Sequence, residues 1–257
     1  MRETLYGRNA VYESLRAGRR EFYRLLLADT VRAADIIADI LTLAERAKVP
    51  VERVPRRHLD WLGEANHQGV ALEASEYPYV DVDDILTESA RRAEPPFLLL
   101  LDLLQDPQNV GTLMRTAEAV GVHGVVIQQR RAVGITPAVV HTSAGATEHL
   151  LIAQVPNLPE TIERLKDRDI WVIGMEAMRG AQRYDQVDLT GPLALVVGSE
   201  GEGLRRLVQE RCDRLIQLPM AGKITSLNAA VAGSVVLYEA WRQRASAHKR
   251  ASANRRG

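Results

Sequence analysis

Cysteine is almost missing from this chain. A single residue of the type, Cys212, stands among 257, which excludes an intrachain disulfide framework and leaves no thiolate pair for zinc. Cys212 reads as a packed core thiol. An excess of either charge is missing too. Lys plus Arg and Asp plus Glu both number 33, so no global basic field points to nucleic acid. No apolar run approaches the roughly 18 to 20 residues of a membrane span. Residues 1–20 are polar and charged, with no signal-peptide core. The expectation is a cytoplasmic protein with neither membrane nor metal as a partner.

What is present is the composition of an ordinary globular protein, 46% hydrophobic and 26% charged. The charge is unevenly spread. Arg16, Arg19, Arg20 and Arg24 cluster near the start, Arg53, Arg56, Arg57 and His58 follow, and the C-terminal "AHKRASANRRG" is basic. Either arginine cluster alone reads as a solvated face, whereas two in one segment point to a binding surface.

Residues 1–75 alternate short apolar runs with a helical pattern, in which Ile36, Ile37, Ile40, Leu41 and Leu43 recur at helical spacing. A small α/β domain is expected there. The stretch 76–96 is acidic first and ends in Pro95 and Pro96, which cannot continue a helix, so it reads as a linker. From Phe97 apolar strands such as "FLLLLD" and "LALVVG" alternate with helical patterns at Asn109–Val120, Pro159–Arg168, Leu204–Cys212 and Ser226–Ala245. That alternation predicts an α/β fold with a parallel sheet covered on both faces and its ligand site at the carboxyl ends of the strands. A second domain over 97–245 and a basic flexible tail over 246–257 complete the expected organisation.

The loop "VVGSEGEGL" is glycine-rich yet acidic. A phosphate loop needs Lys and then Ser or Thr after its last glycine, but Leu204 and Arg205 follow Gly203. Gly198, Gly201 and Gly203 also run in the reverse of the dinucleotide spacing, and Glu200 and Glu202 would repel a pyrophosphate. A neutral or cationic ligand suits the loop better. In "DPQNVGTLMRTAEAVG", Val110, Leu113, Met114, Ala117 and Val120 make one apolar stripe with Arg115 nearly opposite, and Asn109 sits where an N-cap belongs. In "LPMAGKITSLNAAVAG", Gly222 permits an unusual backbone angle, and either Ser226 or Asn228 can cap a helix of small residues suited to close packing.

These three segments, in this order over about Phe97 to Ala245, closely resemble the SpoU (TrmH) family of RNA ribose 2′-O-methyltransferases within the SPOUT superfamily. The N-terminal "YGRNAVYESL" and "NHQGVALEA" resemble the ribosomal-protein-like RNA-binding domain of the RlmB branch. "NAAVAG" departs mildly from the commoner "NVSVA". The resemblance implies a C-terminal trefoil-knotted domain and S-adenosylmethionine as cofactor. Gly198, Glu200, Gly201, Leu218, Met220 and Leu227 are then the cofactor-binding positions, acting mostly through backbone groups. It makes Arg115 the catalytic arginine, with Asn109, Glu200, Ser226 and Asn228 supporting it. It further implies a homodimer in which Arg115 of one subunit faces the cofactor of the other, and a guanosine of 23S ribosomal RNA as substrate. An arginine, with a free pKa of about 12.5 or higher, is a poor general base. Binding the adjacent phosphate and stabilising alkoxide charge suits it better. Three alternatives stand beside this reading: an rRNA adenosine methyltransferase of the antibiotic-resistance type, a tRNA methyltransferase, and a non-catalytic RNA-binding assembly factor.

Overall fold

The computed structural model describes residues 2–62 and 66–254. The chain divides into two compact units, residues 1–78 with 135–149, and residues 79–134 with 150–257. The first unit runs β1 (Arg2–Tyr6), α1 (Arg8–Ala17), β2 (Phe22–Ala28), α2 (Ile36–Arg46), β3 (Val51–Val54), a 3₁₀ helix (Arg56–Leu62) and β4 (Val70–Ser75). The rest of the chain adds α3 (Val82–Arg91), β5 (Phe97–Asp102), α4 (Pro107–Ala119), β6 (Gly124–Gln128), α5 (Pro137–Thr142), β7 (Ile152–Val155) and α6 (Leu158–Lys166). It closes with β8 (Trp171–Met175), β9 (Gln182–Arg183), β10 (Leu193–Gly198), α7 (Arg206–Arg211), β11 (Arg214–Gln217) and α8 (Ala229–Asn254).

In the first unit the sheet order is β1-β4-β2-β3, antiparallel except for the parallel β2–β3 pair. Leu5, Leu25, Leu27 and Leu72 are buried in its core, as are Ile37 and Ile40 of α2. The unit also takes in residues 135–149, which carry α5. The guanidinium of Arg20, its side chain wholly buried, pairs with Glu148 at 2.8 Å and with Glu3 at 2.7 Å. A buried cation of this kind is tolerated only because both partners reach it. The boundary expected at residue 75 therefore misses a segment, because a pairing over 128 residues leaves no local signature.

The second unit holds a seven-stranded parallel sheet in the order β7-β6-β5-β10-β8-β11-β9. Its central strands are nearly continuous apolar runs, as a sheet covered on both faces requires, and β5, β6 and β10 are buried along their whole length. The stretch read as a linker contains α3. Asp84 accepts from the Asp81 backbone at 2.9 Å to start that helix, and Ile85 fills the space above Gly124, where a Cβ would lie 2.6 Å from it. The basic tail differs as well. α8 carries the chain in helical form through Asn254, and residues 255–257 lie outside those described.

β5 leads through β6 to β7 on one side, while β10 and β8 stand on the other, so the strand order reverses between β5 and β10. A crevice is expected outside the carboxyl ends of strands at such a reversal. Asp102, Gly198, Met175 and Gln217 end the four strands concerned.

Candidate functional site

A cleft of about 760 Å³ opens at these strand ends. One wall is the turn after β10 and another the irregular segment from Leu218 to Asn228 that leads into α8. Gly198, Glu200, Gly201, Leu218, Met220, Ser226, Leu227 and Asn228 all line it. Eight of the ten positions singled out in the sequence thus meet around one cavity. Asn109 is joined to them by a hydrogen bond, and Arg115 stands elsewhere.

The glycines of the acidic turn have separate causes. A Cβ on Gly198 would lie 2.3 Å from the Gly203 carbonyl carbon, because the chain folds back over β10, with Ser199 and Gly203 exchanging backbone hydrogen bonds at 3.1 Å. Gly201 and Gly203 take φ of 81° and 67°, the left-handed region that favours glycine. Gly222, by contrast, has neither a positive φ nor a close neighbour, so its expected role in the backbone is not seen.

Two carboxylates that sequence reasoning missed hold the return of this turn. Glu176, just past β8, accepts from the Leu204 backbone at 2.8 Å and from Gln209 at 3.4 Å, and it lies where a Gly203 side chain would be. Asp102, fully buried at the end of β5, accepts from the Arg205 backbone at 2.9 Å and pairs with its guanidinium. Strands on both sides of β10 therefore clamp residues 204–205. The only signal available in sequence was a carboxylate directly after an apolar strand, which a solvated strand end explains equally well.

Asn228 is the junction of the site. Its Oδ1 accepts from the Ala230 and Val231 backbones at 2.9 and 3.1 Å, so it caps α8, and Ser226 does not. Its Nδ2 donates to Asn109 at 2.9 Å and to Glu200. Asn109 is not the N-cap of α4. Asp106 caps that helix by accepting from Gln108 at 3.0 Å, with Pro107 preset at the first helical position, which frees the buried Asn109 to face Asn228. The run of small residues in α8 packs within the unit. A Cβ on Gly233 would lie 2.6 Å from Leu113 of α4, and Ser234 meets Thr116 at 2.9 Å.

Arg115 is exposed on α4, as its place opposite the apolar stripe predicts, and among the described residues no hydrogen bond or ion pair engages it. It does not line the cleft. Behind the site, burial pushes the Cys212 thiol up to about 12, in keeping with an unreactive packed cysteine. Among the described residues no cluster of metal-ligating side chains is found, and no helix is long and apolar enough to cross a membrane.

The cleft has no Lys, Arg or His in its lining and has two carboxylates, Glu176 and Glu200. It disfavours phosphates and accepts a neutral or cationic group. Apolar side chains of Val197, Ile216, Leu218 and Leu227 offer faces for a flat ring.

The SpoU rRNA methylase family model matches residues 96–238, which contain every residue of this site. The chain belongs to that family. A second model, for RNA 2′-O ribose methyltransferase substrate binding, matches residues 4–80. YacO of Bacillus subtilis (strain 168), named for the TrmH family of tRNA/rRNA methyltransferases, is 46% identical over 239 residues, covering 93% of this chain and 94% of its own. Among solved structures, the SpoU methyltransferase AviRb from Streptomyces viridochromogenes, in complex with the cofactor AdoMet, is similar with a TM-score of 0.78 and 26% identity over 95% of this chain and 91% of that one. The A. aeolicus TrmH/SpoU tRNA modifying enzyme is similar over 65% of this chain and 85% of its own, with a TM-score of 0.54 and 26% identity.

Proposed function

We propose that this SpoU-family protein transfers the methyl group of S-adenosylmethionine to a ribose 2′-hydroxyl of RNA, and that its target is a guanosine of 23S ribosomal RNA in the cytoplasm. The observation that carries the reading is the cleft itself, closed by the Gly198–Gly203 return, free of cationic side chains and of a size to hold a nucleoside with a short charged arm. The sulfonium supplies an electrophilic methyl carbon when the cofactor is bound.

The chain's own residues do the rest. Gly198 lets the turn close, and Leu218, Met220 and Leu227 cover the ligand from the side of the irregular segment. Asn228 holds Glu200 and Asn109 in one network, fixing the mouth of the cleft against α4. Aligning the two reactants in this way supplies several kcal/mol of the barrier. Arg115, exposed on α4, binds the phosphate beside the target ribose and stabilises the charge that develops on the attacking oxygen. The return of the chain over Gly198, with α8 packed on α4 and β10, supports a knotted C-terminal segment.

Because Arg115 stands outside the cleft of its own chain, the reading includes a homodimer in which it serves the partner's cleft. α8 offers a surface for that: Val231, Val235 and Tyr238 fall on one face and are 48%, 37% and 51% exposed. An unpartnered stripe of this kind on a helix is unusual unless a subunit covers it. The match to the rRNA methylase family model, and a likeness to the tRNA modifying enzyme that covers only 65% of this chain and so leaves much of the first unit without a counterpart, favour a ribosomal over a transfer-RNA substrate. Mapping 2′-O-methyl groups in ribosomal and transfer RNA from strains with and without the gene tests this: one guanosine of the large-subunit RNA loses its methyl group. Loss in transfer RNA alone overturns the choice of substrate.

A further inference from the structure

Trp61 lies on the 3₁₀ helix Arg56–Leu62 of the first unit and is 62% exposed. In such a helix residues three apart lie above one another. Leu59 turns inward and is wholly buried, while His58 and Trp61 share an edge open to solvent. Packing therefore explains Leu59 and leaves Trp61 unexplained.

Its surroundings are cationic. Arg56 and Arg57 are exposed and, among the described residues, make no hydrogen bond or ion pair. The carboxylate of the turn, Asp60, has its Oδ1 3.9 Å from His67 Nε2, toward the turn that precedes β4. Burial first, and then the Arg56 charge, hold the His67 imidazole below its ordinary value, with Asp60 opposing the shift. The short helix thus carries an exposed indole on one edge and, on the edges to either side, two guanidinium groups that no described residue engages. Every nucleobase has a π-face that an indole can stack on, and guanidinium groups flanking it take phosphates. An apolar protein partner would not call for the two arginines.

We propose that Trp61 is a stacking platform for an unpaired base of the RNA, with Arg56 and Arg57 holding the neighbouring phosphates. This rests on the reading of the first unit as the part that binds RNA. It adds that the unit engages a single-stranded element, where shape alone would be served by a duplex.

The test uses the full-length protein, an oligoadenylate RNA of about a dozen residues, and a blunt RNA duplex of equal length. Trp61→Ala should weaken oligoadenylate binding about tenfold, since a stacked base is worth that much or more. Duplex binding and the dependence on salt should barely move, and Trp61→Phe should keep most of the affinity. Arg56→Ala with Arg57→Ala should instead flatten the salt dependence of oligoadenylate binding, lowering its log–log slope by about 1.4. Unchanged oligoadenylate binding by Trp61→Ala overturns the proposal, and so does an equal loss on both RNAs. If the wild-type protein binds neither RNA, the RNA-binding reading of the unit falls with it. S-adenosylmethionine binding by calorimetry then shows whether the methyltransferase reading survives separately.

Discussion

Asn228 Nδ2 donates to Asn109 Oδ1 at 2.9 Å across 119 residues of sequence, tying the start of α8 to the first turn of α4. A primary amide has two N–H donors and one carbonyl oxygen, and Asn228 uses all of them. Asn228→Asp keeps the cap but loses both donors and sets a second carboxylate against Glu200. We expect it to lose about 1 kcal/mol of stability, because the buried Asn109 oxygen is left without its donor, and to weaken S-adenosylmethionine binding tenfold or more, by about 1.4 kcal/mol. Asn228→Ala should in addition lose about 1 kcal/mol of cap energy, a fall of a few degrees in Tm. Calorimetric titration paired with thermal unfolding separates the two effects. Equal cofactor affinity in Asn228→Asp and wild type would remove the network from the site.

Arg115→Ala removes an exposed side chain that no hydrogen bond or ion pair engages among the described residues, so stability should change by less than about 0.5 kcal/mol. Methyl transfer should fall by on the order of a hundredfold or more. In mixed dimers of Arg115→Ala with Gly198→Ala, where the added Cβ blocks the turn, one site joins an intact arginine to an intact cleft. Activity should return on mixing. No recovery in verified heterodimers would mean that each site is built within one chain.

Glu176→Ala leaves the buried Leu204 N–H without its acceptor, a cost of about 1–3 kcal/mol. The cofactor should bind more weakly because the Gly198–Gly203 return loosens. Glu176→Gln retains an acceptor oxygen and should recover most of the affinity. A glutamine variant as weak as the alanine one would show that the charge, rather than the clamp, is what the site uses.

The Arg20 ion pair joins residues 135–149 to the rest of the first unit. Glu148→Ala strands a buried guanidinium and should cost about 3–5 kcal/mol in denaturant unfolding. Glu3→Ala should cost less, since its side chain is 23% exposed. A fragment ending at Pro78 should be poorly folded for the same reason, which amide dispersion in its NMR spectrum would reveal.

Burial, with the Arg92 charge added, holds the His123 imidazole below its ordinary value even though Glu94 opposes the shift. Its Nδ1 accepts from the Phe97 backbone at 3.0 Å, a bond that only the unprotonated ring nitrogen can make. Between the depressed folded value and the unfolded value near 6.5 the unfolded chain binds the extra proton, so stability is complete above that range and falls as pH drops through it. Unfolding free energies between pH 5 and 8 should show this slope, flattened in His123→Gln. A variant with the same slope would assign the dependence to other groups.

The strands of the second unit were legible because a buried parallel strand is an apolar run, and β5 and β10 are little else. The exposure of Arg115 was legible too, since helical periodicity alone puts it nearly opposite the middle of the apolar stripe of α4. The glycine spacing and the two glutamates excluded a phosphate loop. What could not be read were relations between distant residues. Asn109 looked like a helix cap because nothing nearby announces Asn228 as its partner, and Glu176 and Asp102 looked like ordinary strand ends. The helix α3 was hidden in an acidic stretch, although its Asp81–Asp84 start is a local signal. The segment 135–149 could not be assigned to the first unit, because the fact that assigns it is a buried pairing between Arg20 and Glu148.

Delivery of a methyl group by the cleft to a ribose oxygen of RNA is the step on which the proposed function stands. It is tested most directly by incubating the protein with S-adenosylmethionine labelled in its methyl group and with unmodified 23S ribosomal RNA, then digesting the RNA to nucleosides. Label is expected in 2′-O-methylguanosine, at one site per molecule, and none with Arg115→Ala. Label in a base-methylated nucleoside, or no transfer by protein that binds the cofactor and the RNA, would contradict it.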